Sequence, residues 1–452
     1  MRDSKRALLL AATGLSMLAL LVGGLYASAG PAAAAPAADS SPITYTTSPL
    51  VKQLNKSLMT SGNQLPTTDQ CIALVGLACY TPQQIRTAYN IPSDATGAGQ
   101  TIVIVDAYGS PTIWSDLQIF DQEFGLPDPT LNIFYPTGKP ATTTAHKGLP
   151  PNWSFETSLD VEWSHAIAPA ATIDLVVASS PAGNVLNVAE NFAVSHHLGS
   201  VMSLSFGAPE NAIRGGGNNL QLTQAHAIYE TAQASNITVF SSAGDNGATD
   251  GTASISAEYP SSDPLVTAVG GTNLFINSAD DSYSNETVWN DSDPALCPFG
   301  CSQGEFGATG GAPSAIFSAP SYQSALSGDT ARTTSDVSYN ASVYTAVWVY
   351  IGFFANPADN GFYFVGGTSS GSPQWAAITA DANAMAGHSL GFLNPTLYAI
   401  GANPTEYAND FHDVTVGQNG FNSAGFSAGT GYDIPTGLGT PNVANLLNDL
   451  TH

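Results

Sequence analysis

A chain of 452 residues can bury a large hydrophobic core, in one big domain or in two. It carries 10 Lys and Arg against 35 Asp and Glu, for a formal net charge of −25, so it lacks the basic surface that nucleic-acid binding requires. The excess of acidic residues is explained either by solubility or by adaptation to an acidic environment. In acid the carboxylates are neutralised, and few basic groups remain to repel one another.

The N-terminus has the three parts of an export signal. Arg2, Lys5 and Arg6 form a charged end, residues 7–26 are apolar, and residues 27–29 fit the small-x-small cleavage pattern. We therefore predict that residues 1–29 are a signal peptide and that the mature protein is secreted, with no membrane attachment after cleavage. The apolar stretch is also long enough to serve as an uncleaved anchor, so this alternative stays open.

Four cysteines are present, Cys71, Cys79, Cys297 and Cys301. In an exported protein their short separations favour two local disulfides, Cys71–Cys79 and Cys297–Cys301, although three connectivities are open from sequence alone. A metal site at residues 297–301 is not favoured, because no second Cys/His cluster accompanies it.

The rest of the chain divides near Tyr80. Residues 30–79 begin with an Ala-, Pro-, Ser- and Thr-rich stretch and are weakly patterned, which predicts a linker or a short pro-segment. In residues 80–452 apolar strands alternate with helices, which predicts one α/β domain whose parallel sheet is covered on both faces. The predicted strands are 99–106, 172–178, 201–206, 238–242, 265–269 and 361–365. The predicted helices are 80–89, 116–124, 156–167, 185–197, 220–236 and 373–385.

Ligand sites in such sheets lie at the carboxyl ends of strands, where Asp106, Ser205, Asp245 and Ser369 are expected. Ser369 lies in a Gly-rich turn between a predicted strand and an Ala-rich helix. This arrangement places Ser369 at a helix N-terminus, beside free backbone N–H groups, which suits a nucleophile whose substrate develops negative charge. The alternative is a plain Gly/Ser turn.

Four stretches of the chain, in order and with matching spacing, resemble motifs of the sedolisins, the serine-carboxyl peptidases. Residues 153–169 are similar to the family's ExxxD helix, and residues 241–247 to its oxyanion-aspartate turn. Residues 367–373 are similar to its GTSxxxP nucleophile turn, and residues 413–414 with 429–433 to its calcium site. The resemblance extends from Tyr80 to Leu450. It implies a subtilisin-like three-layer α/β fold with a mostly parallel, twisted central sheet and helices on both faces.

The resemblance implies a Ser-Glu-Asp triad in which Ser369 forms an acyl-enzyme, Glu156 is the general base and Asp160 orients Glu156. Glu156 and Asp160 are four residues apart, so they share one helix face, where two close carboxylates can hold one proton between them. Without the resemblance, a solvated helix face with unrelated acids explains them as well. His165 is turned away from that face and is interpreted as structural, so a conventional Ser-His-Asp enzyme is not favoured.

Asp245 is implied to bind the oxyanion. An oxyanion needs a hydrogen-bond donor, and an aspartate donates only when it is protonated. This role therefore requires an enzyme that works in acid, whereas an Asp that merely caps the turn makes no such demand. Asp106 is interpreted as a structural or subsite residue.

The resemblance also implies one bound Ca²⁺. Its ligands would be the side chains of Asp413 and Asp433 and the main-chain carbonyls of Val414, Gly429 and Gly431. Such a set of hard oxygen ligands with two charges suits Ca²⁺. An ordinary Asp/Gly-rich surface loop is the alternative.

Ser205, Phe206 and Gly207 resemble the family's strand that pairs with the substrate backbone, although a plain core strand end fits them too. The expected substrates are proteins or peptides, and the expected state is a monomer. Whether the enzyme is an endopeptidase or a tripeptidyl-peptidase stays open. A catalytically inactive binding module on the same scaffold is the alternative function, and it would be marked by loss of a catalytic residue.

Two features depart from the family pattern. Sedolisins are usually made with a large N-terminal prodomain, whereas the segment of residues 30–79 is short. Either this short segment inhibits the enzyme, or low activity at neutral pH makes inhibition unnecessary. In addition, Ser335 stands where the family tends to have Pro, which leaves the local subsite shape open.

Overall fold

The computed structural model describes residues 38–47, 49–53, 64–140, 151–293, 295–296 and 306–452. The predicted signal peptide and the Cys297–Cys301 pair lie outside the described residues. No helix in the described ranges is long and apolar enough to cross a membrane.

The strands in chain order are β1 (Leu50–Gln53), β2 (Ala78–Tyr80), β3 (Thr101–Ala107), β4 (Leu131–Phe134), β5 (Thr172–Ala178), β6 (Val201–Leu204), β7 (Ala208–Pro209), β8 (Thr238–Ser242), β9 (Glu258–Tyr259), β10 (Thr267–Ile276), β11 (Tyr283–Val288), β12 (Pro313–Ser318), β13 (Ala331–Thr333), β14 (Val337–Asn340), β15 (Thr345–Ile351), β16 (Gly361–Gly366), β17 (Phe411–His412) and β18 (Thr440–Pro441). The helices are α1 (Thr68–Val75), α2 (Pro82–Ala88), α3 (Ile113–Phe124), α4 (Pro151–Ile167), α5 (Gly183–Ser195), α6 (Leu220–Ala234), α7 (Ser321–Ser327), α8 (Gly371–Ala386), α9 (Asn394–Ala402), α10 (Pro404–Asp410) and α11 (Val443–Thr451).

The central sheet has the strand order β11-β10-β8-β6-β3-β5-β4, with β14 paired to β10. All its pairs are parallel except the one between β10 and β11. Helices α4 and α8 pack on one face of this sheet, and α5 and α6 pack on the other. The predicted three-layer α/β architecture is confirmed.

The strands of the central sheet are apolar because both of their faces are covered. Strands β5 and β8 match their predicted bounds, while β6 ends at Leu204, two residues earlier than predicted. The chain leaves the sheet there, so residues 205–207 are free to pair elsewhere. Helix α4 begins at Pro151, before the predicted start at Glu156, and ends at the predicted Ile167.

Residues 30–79, predicted to be a linker or short pro-segment, contribute directly to a second sheet. Its order is β1-β16-β15-β2, with β1 antiparallel to β16 and β2 parallel to β15. The predicted disulfide Cys71–Cys79 is present and joins α1 to β2. The described part of this segment therefore forms both edges of the second sheet.

Ser335, which departs from the family pattern, makes contacts that Pro could not reproduce. Its N–H donates to the Ile434 carbonyl at 2.8 Å, and its hydroxyl donates to the Pro435 carbonyl at 3.3 Å. It also lies next to a fully buried ion pair, in which the Arg332 guanidinium donates to both oxygens of Asp336 at 2.5 Å. Since proline has no N–H, Ser335 suits this backbone position.

Candidate active site

One face of α4 carries the two acids predicted to act together. Glu156 and Asp160 are both fully buried, and a hydrogen bond between their side chains is among the interactions that act on Asp160. Two carboxyl groups can share such a bond only when one of them holds a proton. The Ser205 hydroxyl donates to Asp160 Oδ1 at 2.9 Å and so fixes the orientation of that carboxyl. The structure thus brings the two acids together as a pair.

Burial controls the protonation of this pair. It raises the pKa of Glu156 well above the ordinary value, and the nearby Asp106 carboxyl raises it further. Burial likewise raises the pKa of Asp160, with contributions from Glu156 and Asp106. Asp106 is itself fully buried near the end of β3, where burial raises its pKa to about 7. Three carboxyl groups therefore share one water-excluded site, and the pKa of each is raised above its ordinary value.

Ser369 lies in the turn between β16 and α8. Residues Thr368–Ser370 form a single 3-10 turn, and α8 begins at Gly371, so Ser369 is next to a helix N-terminus. Its side chain is almost fully buried and lies close enough to Glu156 to oppose the rise in the pKa of that carboxyl. The candidate nucleophile and the candidate base are therefore neighbours in one buried site.

Asp245 lies against the same turn. Its Oδ1 accepts the Thr368 N–H at 2.7 Å and the Thr368 hydroxyl at 2.8 Å. Its Oδ2 lies over Gly367, which has φ +122° and where a Cβ would come within 2.8 Å of that oxygen. Burial raises the pKa of Asp245 to about 6, although both bonds from Thr368 act in the opposite direction. With Oδ1 taken by two donors, the retained proton belongs on Oδ2, which faces the nucleophile turn.

Gly207 pairs with a segment of the chain's own N-terminal part. The Thr46 N–H donates to the Gly207 carbonyl at 2.9 Å, and the Gly207 N–H donates to the Thr46 carbonyl at 3.0 Å. This is the hydrogen-bond pattern by which an extended peptide adds to a strand edge. Ser205 and Phe206, the other predicted substrate-binding residues, line the same groove.

We name residues 43–47 and 49–53 the strap. On the opposite side of the groove the Tyr45 N–H donates to the Pro181 carbonyl, and the Gly183 N–H donates to the Ile43 carbonyl. The Tyr45 ring is buried and lies 5.2 Å from that of Phe206.

The strap then runs beside Glu156 and the strand that precedes Ser369. The Thr47 hydroxyl donates to Glu156 Oε2. Further along, β1 lies antiparallel to β16, with Leu50 opposite Gly366, three positions before Ser369. The strap therefore lies along the groove beside the candidate catalytic residues.

The predicted calcium ligands come together in one loop. Asp413 Oδ2 accepts the Gly431 N–H at 3.0 Å, and Asp433 Oδ2 accepts the Gly429 N–H at 2.9 Å. The two carboxyls are close enough for Asp413 to act on the pKa of Asp433, which is raised mainly by burial. Val414, whose carbonyl is the remaining predicted ligand, is buried beside Asp413. Two aspartate carboxyls and backbone carbonyls in one loop are suitable oxygen ligands for a hard divalent cation.

Sequence reasoning missed several residues that the fold brings to the site. Thr47 lies in the predicted linker, and nothing in its local pattern distinguished it. Asp106 was noted as an acid at a strand end, and only the packing of β3 against α4 shows that it acts on Glu156. His165, interpreted as structural, contacts Asp121 and the Pro127 carbonyl, away from the carboxyl pair.

The chain is similar to several known peptidases, although no family model matches it. Kumamolisin from Bacillus sp. (strain MN-32) is 34% identical over 385 residues, which are 82% of this chain and 63% of that protein. Sedolisin from Pseudomonas sp. (strain 101) is 32% identical over 378 residues, which are 81% of this chain and 60% of that protein. This chain therefore spans less than two thirds of the length of these two relatives.

The solved structure of Pseudomonas sedolisin, a serine-carboxyl proteinase complexed with two molecules of pseudo-iodotyrostatin, gives a TM-score of 0.70 at 30% identity. The match covers 82% of this chain and 98% of that one. Sequence and fold agree over nearly all of that structure, and from this agreement we conclude that the chain belongs to the sedolisin family of serine-carboxyl peptidases.

Proposed function

We propose that this protein is a secreted, acid-acting serine-carboxyl peptidase that hydrolyses peptide bonds through an acyl-enzyme. The observation that carries the proposal is the position of Ser369 beside the buried pair Glu156–Asp160, with Asp245 against the same turn. The proposal of secretion rests on the signal-like first 29 residues. None of the four catalytic residue types is lost, so an inactive binding module is not favoured.

The chemistry follows from the positions of the protons. Glu156 takes the Ser369 proton as Oγ attacks the peptide carbonyl, and Asp160 holds Glu156 in place. The carbonyl oxygen becomes an oxyanion, to which protonated Asp245 donates from Oδ2. Glu156 then gives its proton to the leaving amine, the C–N bond breaks, and the acyl-enzyme is left. Water, deprotonated by Glu156, cleaves the ester and restores the Ser369 hydroxyl.

The first prediction tests the nucleophile. Ser369→Ala is expected to reduce kcat on the order of 10⁶-fold, as loss of a nucleophile does in triad enzymes, while the protein stays folded. Ser370→Ala is the matched control, because the Ser370 hydroxyl bonds Gln374 within the helix and not Glu156. Peptide hydrolysis by purified, folded variants is the measurement. Full activity of Ser369→Ala would exclude this serine as the nucleophile.

The second prediction concerns Asp245 and pH. Its carboxyl donates only while protonated, so activity is expected to fall as pH rises through the pKa of about 6. Asp245→Asn supplies an amide donor at every pH, so we expect its alkaline limb to move upward while some activity remains. Asp245→Ala is expected to lower kcat by about 10²-fold or more, as loss of one oxyanion donor does.

The measurement is kcat/KM against pH for these three proteins on one peptide, with circular dichroism to exclude unfolding. A wild-type optimum at or above neutral pH would contradict the mechanism. An Asp245→Ala variant as active as the wild type would contradict it as well.

We further propose that one Ca²⁺ is held by the Asp413 and Asp433 carboxylates with the carbonyls of Val414, Gly429 and Gly431. The ion would neutralise the two like charges and fix the loop. Binding to the folded state alone stabilises a protein by about 2.7 kcal/mol when the ligand is at 100 times its Kd. Chelation is therefore expected to lower the melting temperature.

Asp433→Ala is expected to lower the melting temperature and to abolish its dependence on calcium. Asp128→Ala, at an exposed position, serves as the control. A wild-type melting temperature that is identical with excess calcium and with chelator would show that the loop holds no ion.

We also propose that the strap restrains the enzyme. It pairs with Gly207 and bonds Glu156, so a peptide can enter the groove only after residues 43–47 have left it. Thr46→Pro removes the N–H that bonds Gly207 without touching a catalytic side chain. We expect KM for a peptide to fall about fivefold with kcat unchanged, since one net hydrogen bond contributes ~1 kcal/mol.

Thr44→Pro is the matched control, because the Thr44 N–H makes no hydrogen bond to the described residues. Amide hydrogen exchange of the wild type provides a second readout: a saturating peptide aldehyde is expected to expose the amides of Tyr45 and Thr46. A strap whose amides stay protected under those conditions, or an unchanged KM in Thr46→Pro, would show that the strap does not compete with substrate.

A further inference from the structure

The turn that carries Ser369 rests on a second stretch of backbone, residues 340–342 at the end of β14, which we name the supporting segment. We propose that Glu286, a buried acid on β11, is a positioning residue that holds the supporting segment in place and so fixes the backbone around Ser369. The proposal rests on the proposed peptidase function, and it adds to that function a residue that takes no part in the chemical steps.

The supporting segment contacts the Ser369 turn directly. The Gly367 N–H donates to the Ala341 carbonyl at 2.6 Å. A Cβ on Gly366 would come within 2.5 Å of the same oxygen, so the two backbones are closely fitted. Gly367 is two residues before Ser369, and it also lies beside Asp245 Oδ2. The position of Ala341 therefore affects both the candidate nucleophile and the candidate oxyanion donor.

Three backbone N–H groups attach the supporting segment to its neighbours. The Ala341 and Ser342 N–H groups donate to the Thr272 carbonyl at 2.9 and 3.2 Å. The Asn340 N–H donates to the Tyr89 hydroxyl oxygen at 2.9 Å. Thr272 belongs to β10, and Tyr89 follows α2, so two separate elements hold the segment.

Glu286 binds both of these neighbours through one oxygen atom. Its Oε1 accepts the Tyr89 hydroxyl and the Thr272 hydroxyl, each at 2.7 Å. Its Oε2 accepts the Thr440 hydroxyl of β18. The Glu286 side chain is 5% exposed, and Tyr89 and Thr272 are fully buried, so water has little access to these hydrogen bonds. A single carboxyl group thus joins the two elements that hold the supporting segment.

The orientation of the Tyr89 hydroxyl explains why an acceptor is needed at position 286. A hydroxyl donates one proton and accepts with its lone pairs. Because Glu286 accepts the proton, the lone pairs of Tyr89 stay available to the Asn340 N–H. Without that acceptor the Tyr89 and Thr272 hydroxyls would be buried with unsatisfied protons, which costs free energy. We expect both to turn to other partners and the supporting segment to move with them.

This role needs an acceptor oxygen and no charge. Burial raises the pKa of Glu286 to about 7, although its hydrogen bonds act in the opposite direction. In acid the carboxyl is therefore protonated, so that Oε1 accepts while Oε2 carries a proton toward Thr440, whose hydroxyl can accept as well as donate. A glutamine has the same shape and offers the same acceptor. Glu286→Gln is thus expected to preserve the support, whereas Glu286→Leu, of similar size, removes it.

The experiment measures kcat and KM separately on one peptide, in the acid range and well below the melting temperature of every variant. Glu286→Leu is expected to lower kcat by about tenfold or more, because a small displacement of a catalytic group costs rate. KM is expected to change by less than about twofold, since the interaction removed does not involve the peptide-binding edge. Glu286→Gln is expected to keep kcat within about threefold of the wild type, because the acceptor oxygen remains.

Two further variants separate positioning from stability. Ile173→Val is the control for loss of stability alone. Ile173 is buried and pairs with Ile102, at the other end of β3 from Asp106, so this variant is expected to melt earlier and to keep kcat. Tyr89→Phe removes the hydroxyl between Glu286 and the supporting segment, and it is expected to lower kcat as Glu286→Leu does.

A Glu286→Leu variant with wild-type kcat would overturn the inference. So would a loss of kcat that Glu286→Gln shares in full, or one that Ile173→Val reproduces, because stability alone would then explain it. If Glu286→Leu does not fold, Tyr89→Phe decides, and an unchanged kcat in that variant contradicts the proposal.

The same measurements keep the two proposals apart. Hydrolysis that needs Ser369 but is unaffected by Glu286→Leu would refute the positioning role and leave the peptidase function standing. Absence of hydrolysis by the wild type would refute both.

Discussion

Burial of carboxyl groups around one serine is the constraint on which the rest of this structure depends. Glu156, Asp160 and Asp245 are nearly or fully removed from water, and the charged groups that act on Glu156 and Asp160 within the described residues are other carboxyls. Ionising an acid in such a place costs free energy, so burial raises the pKa values of these acids above their ordinary values. The same burial that penalises ionisation supplies the shared proton and the oxyanion donor that the proposed reaction needs.

A rigid frame of core elements holds this cluster in place. Asp106 is placed by β3 in the middle of a parallel sheet, the acid pair by α4, and the serine by the junction of β16 and α8. Helices α4 and α8 pack against each other, so the candidate base and the candidate nucleophile come from two elements of one core. Such a frame keeps the carboxyls together although they repel when ionised.

The strap is held in the groove by hydrogen bonds. It pairs with the backbone of Gly207, and its Thr47 hydroxyl donates to the Glu156 carboxyl. A substrate that displaced the strap would have to replace these hydrogen bonds.

The sequence by itself determined much of this protein. Apolar strands that alternate with helices predict a covered parallel sheet, and the predicted bounds of β5 and β8 match those in the structure. The Glu156–Asp160 spacing and the Gly-rich turn at Ser369 are local patterns, so a single sequence displays them. The short Cys71–Cys79 separation likewise predicted the disulfide that is present.

Only the tertiary structure decided what surrounds those residues. Thr47 lies 109 positions from Glu156 along the chain, and its segment has no pattern that distinguishes it from a linker. Asp106 is a single acid whose effect on Glu156 depends on the packing of β3 against α4. A sequence records which side chains are acidic, but burial raises their pKa values, and burial is a property of contacts between elements that are distant in the chain.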